Sequence, residues 1–168
     1  TGSDGLSLRG KADMSTHSMF ANTAEINYTL TISSDGKMLA TGGSSGLISI
    51  YTVDDARLLT KWKASDRRIL QLGFNNGGHL ISTSEDRNVK EYDLQSQTDV
   101  VLSQFEVKPS ALAINPFNDS NVIGLENGKL YSMASGKNAD KKIVREGTGD
   151  PVAALRINEG GTLLAVGF

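Results

Sequence analysis

The most regular feature of the chain is a set of three apolar positions, spaced i, i+3 and i+5, that recurs four times. The triplets are Asn27/Leu30/Ile32, Ile69/Leu72/Phe74, Pro109/Leu112/Ile114 and Val152/Leu155/Ile157. Only the lead position varies, once to Asn and once to Pro. A polar turn rich in Gly, Asn or Asp follows each triplet, and a second apolar run follows the turn. Short apolar runs bounded by turn residues predict β-strands.

The repeat length identifies the architecture. The pattern matches Leu39, Ile81, Ile123 and Leu164 to one another in the second run, and their separations are 42, 42 and 41 residues. A constant period in the low forties, made of short strands, predicts a β-propeller with one blade per repeat. The fourth repeat stops at Phe168, within its second strand. We therefore predict an all-β fold of about three and a half four-stranded antiparallel blades, part of a larger, seven-bladed ring.

The repeat also predicts the core and the domain organisation. Residues 1–24 are polar and are predicted to form a flexible lead-in, with room for one strand at Gly5–Arg9, and residues 25–168 to form the partial propeller. Thr1–Asp4 is interpreted as a flexible end or an expression remnant. The residues predicted to pack between adjacent blades are Leu30, Ile32, Leu72, Phe74, Leu112, Ile114, Leu155 and Ile157.

The strand at Leu163–Val166 and Phe168 would expose an apolar edge unless further β-structure lies beside it. Three explanations are open: the chain is a piece of a longer protein, another polypeptide supplies the missing blades, or the chain closes a small four-bladed ring. The first two predict remaining propeller blades from the same or another chain as partners.

Composition narrows the range of functions. Of the 168 residues, 38% are hydrophobic and 21% charged, which is typical of a globular protein, and the formal net charge is −2. Nucleic-acid binding is possible but not favoured, because there is no overall basic field. Without cysteine there is no disulfide or thiolate ligand, which is compatible with a cytoplasmic or nuclear location. No apolar run approaches the roughly 18 residues of a membrane helix, so no membrane partner is expected.

The second repeat resembles a known family. Its segment Ser82–Asp93 is similar to the signature of a WD-repeat propeller blade, in which an Asp in a tight turn precedes a strand ending in Trp-Asp. Tyr92-Asp93 stands at that dipeptide, and Tyr51-Thr52 and Tyr131-Ser132 are matched to it in the flanking blades. The resemblance implies a non-enzymatic protein–protein interaction scaffold, as a subunit or fragment of a WD-repeat protein in a multiprotein assembly. Its partners would be peptides or complex subunits.

The chain departs from the family at one position. The Gly-His pair of the family falls on Ala64-Ser65, Gln104-Phe105 and Gly147-Thr148, so its histidine is missing in every blade. The full Asp–His–Ser/Thr–Trp network of the family therefore cannot form. Asp86 is predicted to be structural, because a turn Asp caps nearby backbone N–H groups.

No arrangement of residues indicates catalysis, and we predict no catalytic residue, cofactor or metal site. His17 and His79 stand apart, whereas a zinc site needs about four ligands in close array. His79 is predicted to have a surface or blade-packing role. The carboxylate pairs Asp54-Asp55 and Glu85-Asp86 are adjacent in sequence, so their side chains point to opposite faces of a strand. The prediction is that the protein is not an enzyme; a propeller hydrolase or lactonase is the weaker alternative.

The loops leading into the blades carry the candidate binding residues. Trp62, Lys63, Arg67 and Arg68 gather before the second blade, where Arg and Trp would anchor an acidic peptide. Arg87 and Lys108 complete the predicted partner-binding set. The competing interpretation is that Trp62 packs on the outer strand and that the cations are solvated. A second basic cluster, Lys137, Lys141, Lys142 and Arg145, leaves open an RNA-associated subunit of a ribonucleoprotein.

Overall fold

The structure, a computed structural model, describes residues 7–10, 17–20, 25–118, 120–136 and 140–168, the first two ranges by their backbone alone. These residues form sixteen strands: β1 Ser7–Gly10, β2 His17–Phe20, β3 Asn27–Ile32, β4 Met38–Gly43, β5 Leu47–Thr52, β6 Leu58–Lys63, β7 Ile69–Phe74, β8 Leu80–Ser84, β9 Asn88–Asp93, β10 Thr98–Gln104, β11 Pro109–Ile114, β12 Ser120–Leu125, β13 Leu130–Ala134, β14 Lys141–Arg145, β15 Ala154–Ile157 and β16 Leu164–Gly167.

The strands form blades in chain order. β3–β6, β7–β10 and β11–β14 are four-stranded antiparallel sheets, and β15 and β16 form half of another. The predicted all-β fold of three and a half propeller blades is confirmed, while the number of blades in a complete ring stays a prediction. No helix in the described ranges is long and apolar enough to span a membrane.

The turns follow from local sequence. Between β3 and β4, Gly36 adopts a φ of 71°, in the left-handed region that favours glycine. Asp35 Oδ1 accepts hydrogen bonds from Ser33 Oγ at 2.6 Å and from Lys37 N at 3.0 Å. This Asp-Gly turn reverses the chain in the short hairpin that the sequence predicted.

The blades pack face to face through three apolar clusters. The first contains Ile48 and Ile50 of the first blade with Leu72 and Leu80 of the second. The second joins Ile81 and Val89 to Leu112 and Ile123, and the third includes Val122, Val152 and Leu155. Each cluster lies between neighbouring blades, so a blade needs its neighbour to bury its apolar face.

The predicted core is correct for the later blades and wrong for the first. Leu72, Leu112 and Leu155 are buried, and Phe74, Ile114 and Ile157 are partly buried against the same clusters. Leu30 and Ile32, in contrast, are 43% and 55% exposed. The triplet side chains face the preceding blade, as Leu72 does toward Ile48. Within the described part of the chain no blade covers β3 from that side, so its two apolar side chains remain exposed.

The strand register corrects the predicted alignment of the repeats. The last residue of each innermost strand pairs with Leu39, Leu80, Asn121 and Leu164 in turn. Ile81 lies one position beyond Leu80 and pairs with Gly73, and Ile123 lies two positions beyond Asn121 and pairs with Leu112. The shift at Ile81 arises because five residues separate the paired Phe74 and Leu80, whereas six separate the corresponding pair in each of the other hairpins. The matches of Ile81 and Ile123 to Leu39 are therefore wrong.

The same register corrects the aromatic dipeptides. Leu39 pairs with Tyr51 and Leu80 with Tyr92, but Asn121 pairs with Met133. Met133, and not Tyr131, occupies the aromatic position in the third blade. Its fully buried thioether fills the space that a tyrosine ring occupies in the other two blades.

The N-terminal segment contains more regular structure than one strand. β1 and β2 form an antiparallel pair in which Ser7 lies opposite Phe20. Thr1–Asp4 lies outside the described residues, as does Lys137 of the second basic cluster. The division of the chain at residue 24 stays a prediction.

Candidate interaction surface

The antiparallel order of the strands places the loops on two opposite rims. The upper rim includes residues 64–68 and 105–108, which connect the outer strand of one blade to the inner strand of the next. It also includes residues 85–87, between β8 and β9, and residues 126–129, between β12 and β13. The lower rim consists of residues 75–79, 94–97 and 135–136. Loops of propeller blades protrude from a rigid sheet scaffold, which makes each rim a candidate binding surface.

Four of the six predicted partner-binding residues lie on the upper rim: Arg67, Arg68, Arg87 and Lys108. Two of them are paired with carboxylates. Arg68 forms an ion pair with Glu85, with Nε 3.1 Å from Oε1, and Lys108 Nζ lies 2.7 Å from Glu126 Oε1. The Arg68 guanidinium also lies 4.7 Å from the centre of the Tyr28 ring.

The remaining cations, Lys63, Arg67 and Arg87, differ in the hydrogen bonds and ion pairs that they form. Lys63 ends β6 and donates from Nζ to Ser45 O at 2.6 Å, and it lies 3.6 Å from Asp66 Oδ1. Arg87 has a φ of 72°, and its Nη1 donates to a backbone carbonyl, Glu106 O, at 3.1 Å. Among the described residues, neither Arg67 nor Arg87 forms an ion pair with a carboxylate, and both are exposed.

The upper rim carries charges of both signs. The hydrogen bond from Arg68 holds the pKa of Glu85 below its ordinary value, so this carboxylate is charged at neutral pH. Because both side chains remain partly exposed to solvent, the pair adds little to stability. The rim is therefore a mixed-charge surface on which Arg67 and Arg87 have no carboxylate partner among the described residues.

Trp62 occupies a different environment. Its ring stacks on Tyr92 of the second blade, with 4.3 Å between ring centres and 15° between planes. It is partly buried and packs against the core between the first two blades. Packing accounts for the position of this ring, and its role as a binding anchor stays a prediction.

Asp86 is the centre of a hydrogen-bond network in the turn before β9. Its Oδ1 accepts from Ser84 Oγ and from Asn88 N at 2.9 Å, and its Oδ2 accepts from Ser65 Oγ at 2.7 Å. Ser65 Oγ in turn accepts from Arg67 N at 2.9 Å. Ser65 stands where the WD-repeat family places its histidine. The shorter hydroxyl therefore keeps the bond to the turn aspartate, in place of the full network.

We expect Asp86→Ala to lower the free energy of unfolding by about 1–2 kcal/mol at pH 7, because it leaves buried donors without an acceptor. Burial acts to raise the pKa of Asp86, but the bonds from Ser84, Asn88 and Ser65 outweigh it and the pKa is lowered. The stabilisation is thus complete above the unfolded-state pKa of about 4 and is lost as the pH falls through the folded-state value. Urea unfolding at pH 7 and in acid would measure this.

The control for that experiment is Asp66→Ala. Asp66 is exposed and makes only the long ion pair with Lys63, so the change should cost less than about 0.5 kcal/mol. Equal losses from the two variants, or an Asp86→Ala loss that grows in acid, would contradict the structural role of Asp86.

The described members of the second basic cluster, Lys141, Lys142 and Arg145, lie on the outer strand β14. Lys141 Nζ is 4.9 Å from the Phe105 ring centre and donates to Ser103 Oγ at 3.2 Å. The Arg145 guanidinium lies 4.2 Å from the Phe168 ring centre. Aromatic contacts account for both positions, and these contacts give no specific support to the RNA alternative.

Sequence reasoning missed a polar cluster on the lower rim. Its centre is the buried carboxylate of Glu91, which lies 2.9 Å from His79 Nδ1 and 3.0 Å from Asn75 Nδ2. His79 is thus placed at the surface, but in contact with a buried acid. In the described ranges, no three His, Cys, Asp or Glu side chains are grouped so that they could hold a metal ion.

Three four-stranded antiparallel sheets and half of a fourth, packed face to face, define the class of protein: a β-propeller. Residues 14–52 match the family model "WD domain, G-beta repeat", a range that crosses the predicted boundary at residue 24. The crystal structure of the Cps50 (Swd1) β-propeller domain of Myceliophteria thermophila matches with a TM-score of 0.71 and 16% identity, over 84% of this chain and 50% of that chain. No curated protein matches the chain.

These comparisons confirm the resemblance to WD-repeat propellers that the segment Ser82–Asp93 indicated. At 16% identity, the likeness to Cps50 shows the fold alone. The chain spans half the length of that propeller domain.

Proposed function

We propose that the chain acts as a non-enzymatic protein-interaction scaffold, as a subunit or part of a WD-repeat protein in a multiprotein assembly in the cytoplasm or nucleus. The observation that carries the proposal is the upper rim, where rigid blades hold two exposed guanidinium groups, Arg67 and Arg87, among paired charges. Such a rim presents fixed, specific contacts to another protein and has no constellation of groups suited to a reaction.

An acidic peptide segment is the partner that fits this rim. Arg67 and Arg87 offer planar guanidinium forks for carboxylates, and each such pair is charge-assisted. Arg68 and Lys108 already have carboxylate partners, Glu85 and Glu126. We therefore assign them a supporting role: they neutralise the acidic side chains that would otherwise repel the partner.

The test is a quantitative pull-down from native extract with Arg67→Glu/Arg87→Glu. We expect at least tenfold less of the specific partners than with the unchanged chain, with an unchanged melting temperature. The control is Lys61→Glu/Lys142→Glu, which changes the same charge on exposed outer strands and should retain the partners. Equal losses from both variants, or no loss from either, would contradict binding at the upper rim. Loss of all partners after nuclease treatment would favour the RNA alternative.

A further inference from the structure

Two successive blade junctions differ at the same two positions of the fold. The strand register makes Ile50 equivalent to Glu91, and Leu80 equivalent to Asn121. Between the first and second blades, Ile50 and Leu80 are 1% and 0% exposed and belong to one apolar cluster. Between the second and third blades, Glu91 and Asn121 are as deeply buried, at 4% and 0%. A polar pair therefore replaces an apolar pair.

This replacement is costly unless the polar groups have partners. Burying a carboxylate requires both hydrogen bonds and a compensating charge. Of the described residues, only His79 forms an ion pair with Glu91, and it does so only when protonated. The Asn121 Oδ1 atom is buried and has no hydrogen-bond partner among the described residues. A native structure seldom leaves such a group unexplained.

The hydrogen bonds leave a surplus of acceptors. Glu91 Oε1 accepts from Asn75 Nδ2 and His79 Nδ1, while Oε2 accepts from Gly136 N at 2.6 Å and from no other described residue. Ser135 Oγ accepts from Asn75 Nδ2 at 3.2 Å and from Asn121 Nδ2 at 3.3 Å. With Nδ1 of His79 donating to Glu91, its Nε2 is left as an acceptor when the ring is neutral.

A cavity of about 230 Å³ opens beside Glu91, His79 and Ser135. It is lined by Asn75, Gly77, His79, Glu91, Ser135 and Gly136. Because its walls offer one carboxylate and further acceptors, the chemistry that complements it is a cation with several N–H donors. A metal ion would require a tighter ligand array than these side chains make.

We propose that this lower-rim cavity binds a guanidinium group, supplied by an arginine side chain of a partner protein. A guanidinium carries five donors in a plane and is weakly hydrated, so it fits acceptors that are spread around a half-open cavity. Its charge compensates Glu91 when His79 is neutral. The inference rests on the proposed interaction function for the source of the arginine, but the binding of the free group is independent of the upper rim.

The experiment titrates the full chain with ethylguanidinium and follows the His79 ring by NMR. The chain has two histidines, so His17→Gln assigns the signal. We expect a saturable shift of the His79 resonances, and at least tenfold weaker binding of ethylammonium, which has the same charge. Glu91→Gln, which preserves shape and removes the charge, should weaken ethylguanidinium binding at least tenfold.

A second variant distinguishes loss of the binding site from loss of the fold. Glu91→Ile/Asn121→Leu gives this junction the side chains of the preceding one, and it should fold without binding ethylguanidinium. Arg67→Glu/Arg87→Glu should bind it normally, which separates this site from the upper rim. The proposal is overturned if no saturable shift occurs, if ethylammonium binds equally well, or if Glu91→Gln and the double variant still bind with unchanged affinity.

Discussion

Leu72→Ala is expected to lower the free energy of unfolding by about 2–4 kcal/mol, and Leu30→Ala by less than about 1 kcal/mol. The two leucines occupy the same position in successive repeats. Leu72 is 9% exposed and packs against the first blade, whereas Leu30 is 43% exposed. Removing a buried side chain costs its transfer energy and leaves a cavity, while an exposed one leaves neither.

Urea unfolding of both variants at low protein concentration measures this difference, with each leucine as the control for the other. The expected result is a lower midpoint for Leu72→Ala with an unchanged slope. If Leu30→Ala is as destabilising as Leu72→Ala, then other β-structure covers Leu30 in solution, and the exposed face described here does not exist in the folded protein.

The comparison of these two leucines shows how far sequence predicts the fold. Alternation and turn residues are local properties, so the blades and their strand faces could be predicted. Whether a face is covered depends on what lies beside the blade, and the repeat gives Leu30 and Leu72 the same pattern. Sequence alone therefore could not distinguish the exposed leucine from the buried one.

The candidate sites were predictable to different degrees. Asp86 could be identified because a turn aspartate acts on its own backbone, whereas its bond to Ser65 joins two loops and needed the structure. Asn121 was missed because the predicted alignment matched Leu39 with Ile123, two residues further along. Glu91 was already aligned with Ile50 by the match of Tyr92 with Tyr51, but its burial depends on the neighbouring blade and needed the structure. With the correct register, the signal is present in the sequence: a polar residue stands where the preceding blade has Ile50 or Leu80.

The largest expected effect concerns the association of the chain. The β3 face, formed by Leu30 and Ile32 together with Ile26 just before the strand, exposes between 41% and 55% of each side chain. Leu163 and Phe168 are also exposed, beside the half blade. Contiguous apolar surface at the side of a blade is the surface that neighbouring blades cover in a propeller. We therefore expect the 168-residue chain to self-associate unless further blades are supplied.

Sedimentation velocity over a range of protein concentrations tests this expectation. The unchanged chain should sediment as oligomers, and Leu30→Lys/Ile32→Lys should shift it to monomer, because two lysines on the β3 face oppose burial against a second copy. Leu58→Lys/Leu59→Lys is the matched control, since those leucines are 42% and 43% exposed on the outer strand β6 and should leave association unchanged. A monomer with a sharp melting transition at every concentration would contradict the exposed face and would favour a small ring closed by the chain itself.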